Sequence, residues 1–182
     1  MKKSKVIINF LIRFFVTYFI LLGIYAIYTR YTQEKGIVFT CDPITKTVAH
    51  QAETFGKWLG YNTNTEQNEN ELSMKFFIDG EYVARVVEGC NSISVIILFI
   101  TFIIAFKGSL KATILYIVFG SLLIYGVNIA RVFLLSLWMH QYPQYQYVLH
   151  NLIFPGIIYG TTFLLWVVWV NHFSHLKRKS HE

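Results

Sequence analysis

Charged residues are scarce in this sequence. Asp, Glu, Lys and Arg make up 14% of its 182 residues, whereas 54% are hydrophobic and 18% are aromatic. A soluble domain carries about 25% charged residues, so this composition excludes an ordinary soluble fold. Proline is also rare, and no linker rich in Pro, Gly or Ser divides the chain. We therefore expect residues 1–182 to form a single membrane-embedded domain.

Motifs that bind metals, nucleotides or nucleic acids are missing as well. The only two cysteines, Cys41 and Cys90, are not part of a zinc-ligand spacing, and the sequence has no phosphate-binding loop. The net charge of +6 is better explained by orientation in a membrane than by nucleic-acid binding. We predict no metal, no organic cofactor and no nucleic-acid partner.

Four apolar stretches are long enough, or nearly so, to cross a bilayer. A spanning helix needs about 20 residues to cross about 30 Å of hydrocarbon. The stretch at 93–106 is short, and it reaches a workable length only if its helix also includes residues 88–92. We predict four transmembrane helices, at residues 6–28, 93–106, 112–138 and 152–170.

Basic residues indicate how these helices are oriented. Eight of them flank the predicted spans, where the only acidic residue is Glu182, whereas residues 30–88 contain six basic and nine acidic residues. Because Lys and Arg concentrate on the cytosolic side, we expect both termini in the cytosol and residues 30–88 outside the cytoplasmic (inner) membrane. The eight are Lys2, Lys3, Lys5, Lys107, Lys111, Lys177, Arg178 and Lys179.

Residues 30–88 are predicted to form a small extracytoplasmic cap. Apolar residues at spacings of three and four favour a helix over 45–59, and the polar stretch 61–71 is typical of an exposed loop. Asp79-Gly80 between 72–78 and 81–87 is a strong hairpin signal. The predicted fold is an all-α polytopic membrane protein with four transmembrane helices, whose cap contains a helix and a β-hairpin.

Three chemically distinctive residues are predicted to lie at one depth in the membrane. Cys90 is 17 residues before Lys107, and Arg131 is 20 residues after Lys111. At about 1.5 Å per residue, both separations approximate the hydrocarbon thickness. If the two lysines mark the inner interface, Cys90 and Arg131 reach the outer one, and His150 precedes the last span on that side.

Together these residues supply the groups that acyl transfer requires. A cysteine attacks as the thiolate, which a nearby cation or a helix N-terminus favours. A histidine transfers the protons, and an arginine stabilises negative charge on the attacked carbonyl. We therefore select Cys90, Arg131 and His150 as the candidate catalytic residues, with active-site chemistry facing outward.

Each residue also has a structural alternative. Cys41 and Cys90 both face an oxidising compartment, so they could form a disulfide. Arg131 could pair with a carboxylate such as Glu88, and His140 competes with His150 on the same side. The conjunction of the three residues favours catalysis over these alternatives.

The same residues resemble the motifs of the exosortase/archaeosortase family of multi-pass membrane cysteine transpeptidases. The resemblance covers about residues 86–159, with Glu88-Gly89-Cys90 before one span, Asn128-x-x-Arg131 late in the next and His150 before the last. The chain is most similar to the short exosortase F branch. It has Asn91-Ser92 where many members have a Ser-Gly pair, and many members have more than four spans.

The resemblance implies that Cys90 attacks an amide near the C-terminal sorting signal of membrane-anchored substrate proteins. His150 would then move protons, Arg131 would stabilise the oxyanion, and an amine on an envelope acceptor would resolve the thioester. Asn128, at i, i+3 from Arg131, would orient it, and Glu88 would support the site. Two rivals remain: a non-catalytic scaffold with a Cys41–Cys90 disulfide, and a thiol hydrolase that transfers the acyl group to water.

Overall fold

The computed structural model of the protein describes residues 2–35, 39–106 and 108–173. The chain is mostly helical and forms two compact units. We call Met1–Ala26, Ile93–Ile124 and Tyr159–Glu182 the helical unit. We call Ile27–Ser92 and Tyr125–Ile158 the mixed unit, because it also contains the sheet.

Three segments of the described chain are long and apolar enough to cross a membrane. They correspond to the predicted spans at 6–28, 112–138 and 152–170, and they are Ile7–Thr32, Leu110–Gln141 and Pro143–His172. The long helices in them are α1 (Lys2–Thr32), α4 (Leu110–Gln141) and α6 (Phe154–His172), and the short helix α5 (Gln146–Val148) lies before α6. Many of their large apolar side chains are exposed, as expected where lipid is the solvent.

The second predicted span is shorter than expected. Its helix, α3 (Ile93–Ala105), has 13 residues and is about 20 Å long. Residues 88–92 do not extend it, because Glu88–Cys90 forms a 3₁₀ turn and Ser92 has a left-handed φ of 63°. Four spans are therefore not confirmed, and Cys90 lies in a turn before α3 rather than at its first residue.

Part of the orientation argument lies outside the described residues. This applies to one lysine after α3 and to four charged residues near the C-terminus. These five residues are Lys107, Lys177, Arg178, Lys179 and Glu182.

Aromatic packing holds the helical unit together. The rings of Phe102 and Trp166 stack with their centroids 4.3 Å apart. The Tyr116 hydroxyl donates to the Leu165 carbonyl oxygen at 2.7 Å, and the Trp169 indole donates to the Phe106 carbonyl oxygen at 3.3 Å. Both donors meet main-chain acceptors because a polar group buried in an apolar environment is costly when it is unpaired.

The mixed unit contains helix α2 (Pro43–Trp58) and two antiparallel sheets. A two-stranded sheet pairs β1 (Glu34–Lys35) with β2 (Phe39–Thr40), and a three-stranded sheet has the order β3-β4-β5. The strands of the larger sheet are β3 (Thr63–Gln67), β4 (Ser73–Ile78) and β5 (Glu81–Val87). Asp79 and Gly80 join β4 to β5 with φ of 52° and 82°, the left-handed pair that a tight hairpin turn requires. The predicted hairpin is confirmed.

Helix α2 also agrees with the prediction for 45–59. Its N-cap is Asp42, whose Oδ1 accepts a hydrogen bond from the Thr45 N–H at 2.9 Å, and Pro43 occupies the first turn. Its apolar face packs against the sheet and α4 in the buried core of the mixed unit. This core contains Val48, Ala49, Ala52, Met74, Phe76, Ile78, Val86, Val132, Phe133 and Leu137.

The prediction of an exposed loop over 61–71 was wrong, because this stretch contains β3. The inward side chains of β3 are Thr63 and Thr65, which are polar and so give no apolar alternation. The Thr63 hydroxyl donates to the Glu53 carbonyl oxygen at 2.8 Å, and the Thr65 hydroxyl donates to the Glu53 carboxylate at 2.5 Å. In addition to its pairing with β4, this strand is therefore held by hydrogen bonds to α2 rather than by apolar side chains.

Candidate functional site

Cys90 ends the 3₁₀ turn that follows β5 directly. Its side chain is half-buried and its thiol is free. The Cys90 carbonyl oxygen accepts a hydrogen bond of 2.7 Å from Asn128 Nδ2 on α4. The hairpin and α4 thus fix the main chain at this position from two sides.

The two residues after Cys90 are also fixed. Asn91 is buried, and its Nδ2 donates to Thr45 Oγ1 at 3.2 Å. Ser92 is buried with a φ of 63°, a left-handed conformation that glycine adopts with the least strain. Many members of the family that the sequence resembles have a Ser-Gly pair after the cysteine, and the glycine of that pair corresponds to Ser92. The left-handed φ at this position explains that glycine. Here Ser92 Oγ donates to the Asn91 carbonyl oxygen at 2.6 Å.

Asn128 connects Cys90 to Arg131. Asn128 and Arg131 are both on α4 at positions i and i+3, so they share one helix face. The buried Asn128 side chain donates to Cys90 and accepts at its Oδ1 from Arg131 Nη1 at 3.1 Å. Arg131 Nε is buried and has no hydrogen-bond partner among the described residues.

His150 approaches from a third element. It belongs to a π-helical turn, Leu149–Ile153, which directly precedes α6, and it is exposed. Its neighbour Leu149 is buried with Leu135 and Phe154. This apolar anchor holds the turn against α4 and leaves the imidazole of His150 at the surface. Such π-helical turns are frequent at functional sites.

One cleft of about 230 Å³ brings these three residues together. One wall is α4, which contributes positions that lie on a single helix face. Another is β5 with the following turn, and the segment before α6 supplies the rest. The lining residues are Ala84, Arg85, Val86, Cys90, Arg131, Val132, Leu135, Ser136, Met139, Gln146 and His150.

The competing residues do not line this cleft. The Glu88 carboxylate accepts from Gln33 Nε2 at 3.0 Å, while Arg131 binds Asn128, so the alternative of an Arg131–Glu88 pair is not observed. His140 Nδ1 lies 3.4 Å from the carboxylate of Glu81. Of the two histidines, only His150 belongs to the cleft.

The structure also argues against the disulfide alternative. Cys41 is a free, buried thiol that donates to Gln67 Oε1 at 3.2 Å. Burial raises the pKa of the Cys41 thiol, which disfavours its thiolate. Cys41 is therefore a core residue of the mixed unit, whereas Cys90 is the accessible cysteine of the pair.

Sequence reasoning did not identify the β5 side of the cleft. Arg85 and its neighbours Ala84 and Val86 line it, although the hairpin prediction had already placed this strand directly before Cys90. That adjacency was the available signal. Gln146 and Ser136, also in the lining, carry no motif that would have distinguished them.

The cleft presents a thiol, a guanidinium and an imidazole. The sequence gives the same three groups in the order expected of one family. A family model described as transmembrane exosortase matches residues 12–170. No curated protein and no solved structure matches the chain. The family match covers most of the chain and includes every residue of the cleft, so the protein belongs to the transmembrane exosortase family and is a membrane protein with several apolar helices.

Proposed function

We propose that the protein is a membrane-embedded cysteine transpeptidase. It cleaves the C-terminal sorting signal of membrane-anchored surface proteins and transfers them to an acceptor in the cell envelope. The observation that carries this proposal is the shared cleft of Cys90, Arg131 and His150. Membership of the exosortase family supports the same reaction class.

In the first half of the reaction, the Cys90 thiolate attacks the carbonyl carbon of the scissile amide. A C–S bond forms, and the carbonyl oxygen becomes an oxyanion that accepts from the guanidinium of Arg131, which lines the cleft. Protonated His150 then gives its proton to the leaving nitrogen. The C–N bond breaks, the C-terminal signal leaves as an amine, and a thioester remains on Cys90.

The second half of the reaction reverses these roles. An amine of the envelope acceptor attacks the thioester carbonyl, and His150 takes the proton from that nitrogen. The C–S bond breaks, an amide forms between the surface protein and the acceptor, and Cys90 leaves as the thiolate. No step requires a redox partner.

We further propose a location and topology for this reaction. The protein lies in the cytoplasmic membrane with both termini in the cytosol, and the cleft opens on the outer side, where surface proteins and acceptors are found. This orientation follows from the excess of basic residues near the ends of the spans. It requires four crossings, with the short α3 as the second.

The proposal is tested by co-expression with a reporter protein that carries a candidate sorting signal, made of a short motif, an apolar helix and a basic tail. The wild type should remove the signal, while Cys90→Ala, His150→Ala and Arg131→Ala should each lower the rate at least a hundredfold. His172→Ala, at the exposed end of α6 and outside the cleft lining, is the matched histidine control and should process the reporter normally. Processing that persists in Cys90→Ala would contradict the proposal.

A hydrolase is the second candidate function. The exposure of His150 favours hydrolysis, because water can reach the imidazole that would activate a water molecule. Hydrolysis and transfer share the thioester and differ in the final nucleophile. The mass of the released reporter separates them: transfer adds the mass of the acceptor, whereas hydrolysis leaves a free carboxylate.

A further inference from the structure

We propose that the outer edge of β5 binds the substrate as an added β-strand. The peptide segment that precedes the cleaved bond would lie extended along Ala84–Val86, parallel to β5, and would deliver its last carbonyl to Cys90. This inference rests on the proposed function and concerns how that same cleft holds its substrate.

The first support is the position of β5 in the sheet. The strand order is β3-β4-β5, so β5 is an edge strand, and the described residues provide no strand on its outer side. An edge strand offers a row of main-chain donors and acceptors to another extended chain. Peptide-binding domains commonly use such an edge, and there the main-chain hydrogen bonds do not depend on side-chain identity.

The hydrogen-bond register shows which residues of β5 direct their main-chain N–H and C=O groups away from β4. The Asn68 N–H donates to the Ser73 carbonyl oxygen at 3.0 Å, so the main-chain carbonyl of Ser73 faces β3. Main-chain groups of successive residues point to opposite sides of a strand, so the N–H and C=O groups of Met74 and Phe76 face β5. Their partners are Val86 and Ala84.

Arg85 lies between these two partners, so its main-chain N–H and C=O point away from β4. The pairing at the other end of β4 agrees with this alternation. There the Asp79 N–H donates to the Asn62 carbonyl oxygen at 2.9 Å, as the same register requires. Arg85 is therefore the residue of the β5 wall whose main-chain groups face outward.

The cleft meets β5 at this same edge. Successive side chains of a strand point to opposite faces of the sheet. A cavity lying on one face would touch alternate residues, yet this one touches three consecutive residues, Ala84, Arg85 and Val86. The cleft therefore runs along the edge of β5, beside the outward main-chain groups of Arg85.

The size and ends of the cleft suit a short peptide. The facing wall is α4, and two contacts between β5 or its following turn and α4 bound the space: Glu81 with His140, and Cys90 with Asn128. The cavity of about 230 Å³ is below the 300–1,000 Å³ typical of pockets for drug-sized ligands. It has room for a few residues in extended form and not for a folded domain.

Chain direction favours parallel pairing. β5 runs towards Cys90 and then into the apolar helix α3. A substrate whose motif precedes its own apolar helix runs into the membrane in the same sense. The residues before the cleaved bond then lie beside Ala84–Val86, on the N-terminal side of Cys90.

The test uses irreversible reagents, so that it does not depend on turnover. A mixture of acetyl-tetrapeptide chloromethyl ketones alkylates the purified protein in detergent, and intact mass gives the rate at Cys90. In each alkylation the thiolate forms an S–C bond and chloride leaves. Chloroacetone carries the same electrophile without a peptide, so the ratio of the two rates measures peptide binding separately from thiol reactivity.

Two variants at one position isolate the main-chain donor. Arg85→Pro removes the outward N–H, and edge strands tolerate proline where the N–H points outward. Arg85→Thr keeps that N–H, and both variants lose the contact of the Arg85 side chain with Glu71 at 3.0 Å. We expect the rate ratio for the fastest reagent to be about tenfold lower in Arg85→Pro than in Arg85→Thr.

A second measurement does not alter the protein. We expect N-methylation at one amide position of the fastest reagent to lower its rate ratio with the wild-type protein at least tenfold. N-methylation at the adjacent amide position should change that ratio little. Equal ratios in Arg85→Pro and Arg85→Thr together with insensitivity to N-methylation, or no advantage of any peptide over chloroacetone, would overturn the inference. Failure of the proposed function looks different, because the peptide preference would persist while the reporter remained uncleaved.

Discussion

At the scale of single residues, the buried amide of Asn128 is the connection on which the site depends. Its Nδ2 holds the Cys90 carbonyl oxygen and its Oδ1 holds Arg131 Nη1. Removing a partner of buried polar groups costs about 1–3 kcal/mol. One side chain thus fixes both the main chain at Cys90 and the guanidinium of Arg131.

Asn128 variants should separate these two contacts. Asn128→Asp keeps the acceptor for Arg131 but loses the donor to Cys90, whereas Asn128→Ala loses both. We expect reporter processing to fall about tenfold in Asn128→Asp and further in Asn128→Ala, with the largest loss of thermal stability in Asn128→Ala. The exposed Asn64, whose Nδ2 donates to the Glu66 side chain at 3.1 Å, gives the control Asn64→Ala. Wild-type processing by Asn128→Ala would refute this role.

Much of the candidate site could be predicted at this scale, because residue type and spacing carry the information. Cys90, Arg131 and His150 were selected from the sequence, and all three line the cleft. Arg85, which also lines the cleft, could not be selected in this way, because the contribution we propose for it is a main-chain direction set by the pairing of β4 with β5. A side chain reveals nothing about that direction.

At the scale of secondary-structure elements, the contact of α2 with α4 and β3 depends on the absence of a side chain at Gly56. A Cβ there would lie 2.7 Å from Phe133 Cε2 and 2.8 Å from Thr63 Cγ2. Both distances are well inside van der Waals contact. Phe133 is fully buried and also packs edge-on against Phe55, with ring centroids 5.7 Å apart.

Gly56→Ala should therefore destabilise the mixed unit. Overpacking costs about 1–3 kcal/mol, which exceeds the gain of up to about 1 kcal/mol from replacing glycine in a helix. Thermal unfolding in detergent should show a midpoint several degrees below that of the wild type. Gly126→Ala on α4 is the matched control, since a Cβ there meets no atom within 4 Å. A midpoint for Gly56→Ala at or above the wild-type value would contradict this packing.

The elements that were predicted correctly have local signals, whereas those that were missed depend on tertiary contacts. Asp79-Gly80 determines its turn by backbone preference alone, and apolar spacing indicates α2. Strand β3 is stabilised instead through Glu53: burial acts to raise the pKa of this carboxyl, but hydrogen bonds from Lys57 and Thr65 outweigh it and lower the pKa. A charged carboxylate that anchors a threonine-lined strand has no hydrophobic pattern to detect.

At the scale of the whole molecule, the short helix α3 determines the topology. Its 13 residues extend about 20 Å, against about 30 Å of hydrocarbon. A mismatch of this kind is accommodated by local thinning of the bilayer or by polar flanking residues. If α3 crosses, the chain makes four crossings and both termini share one side; if it does not, three crossings leave the termini on opposite sides.

Reporter fusions distinguish these two topologies. We expect a green fluorescent protein after residue 182 to fluoresce, because it folds in the cytosol, and alkaline phosphatase at that position to be inactive. Alkaline phosphatase inserted after the exposed Asn70, in the turn between β3 and β4, should be active. An active phosphatase at the C-terminus would mean that α3 does not cross.

We propose that Cys90 carries the surface protein as a thioester between cleavage and transfer. The most direct measurement is the intact mass of the enzyme after brief incubation with a sorting-signal reporter and acid quenching. We predict an adduct of the reporter without its C-terminal signal, attached to Cys90, released by hydroxylamine and absent in Cys90→Ala. Signal removal at the normal rate with no such adduct in the wild type, or with an adduct on another residue, would contradict the thioester at Cys90.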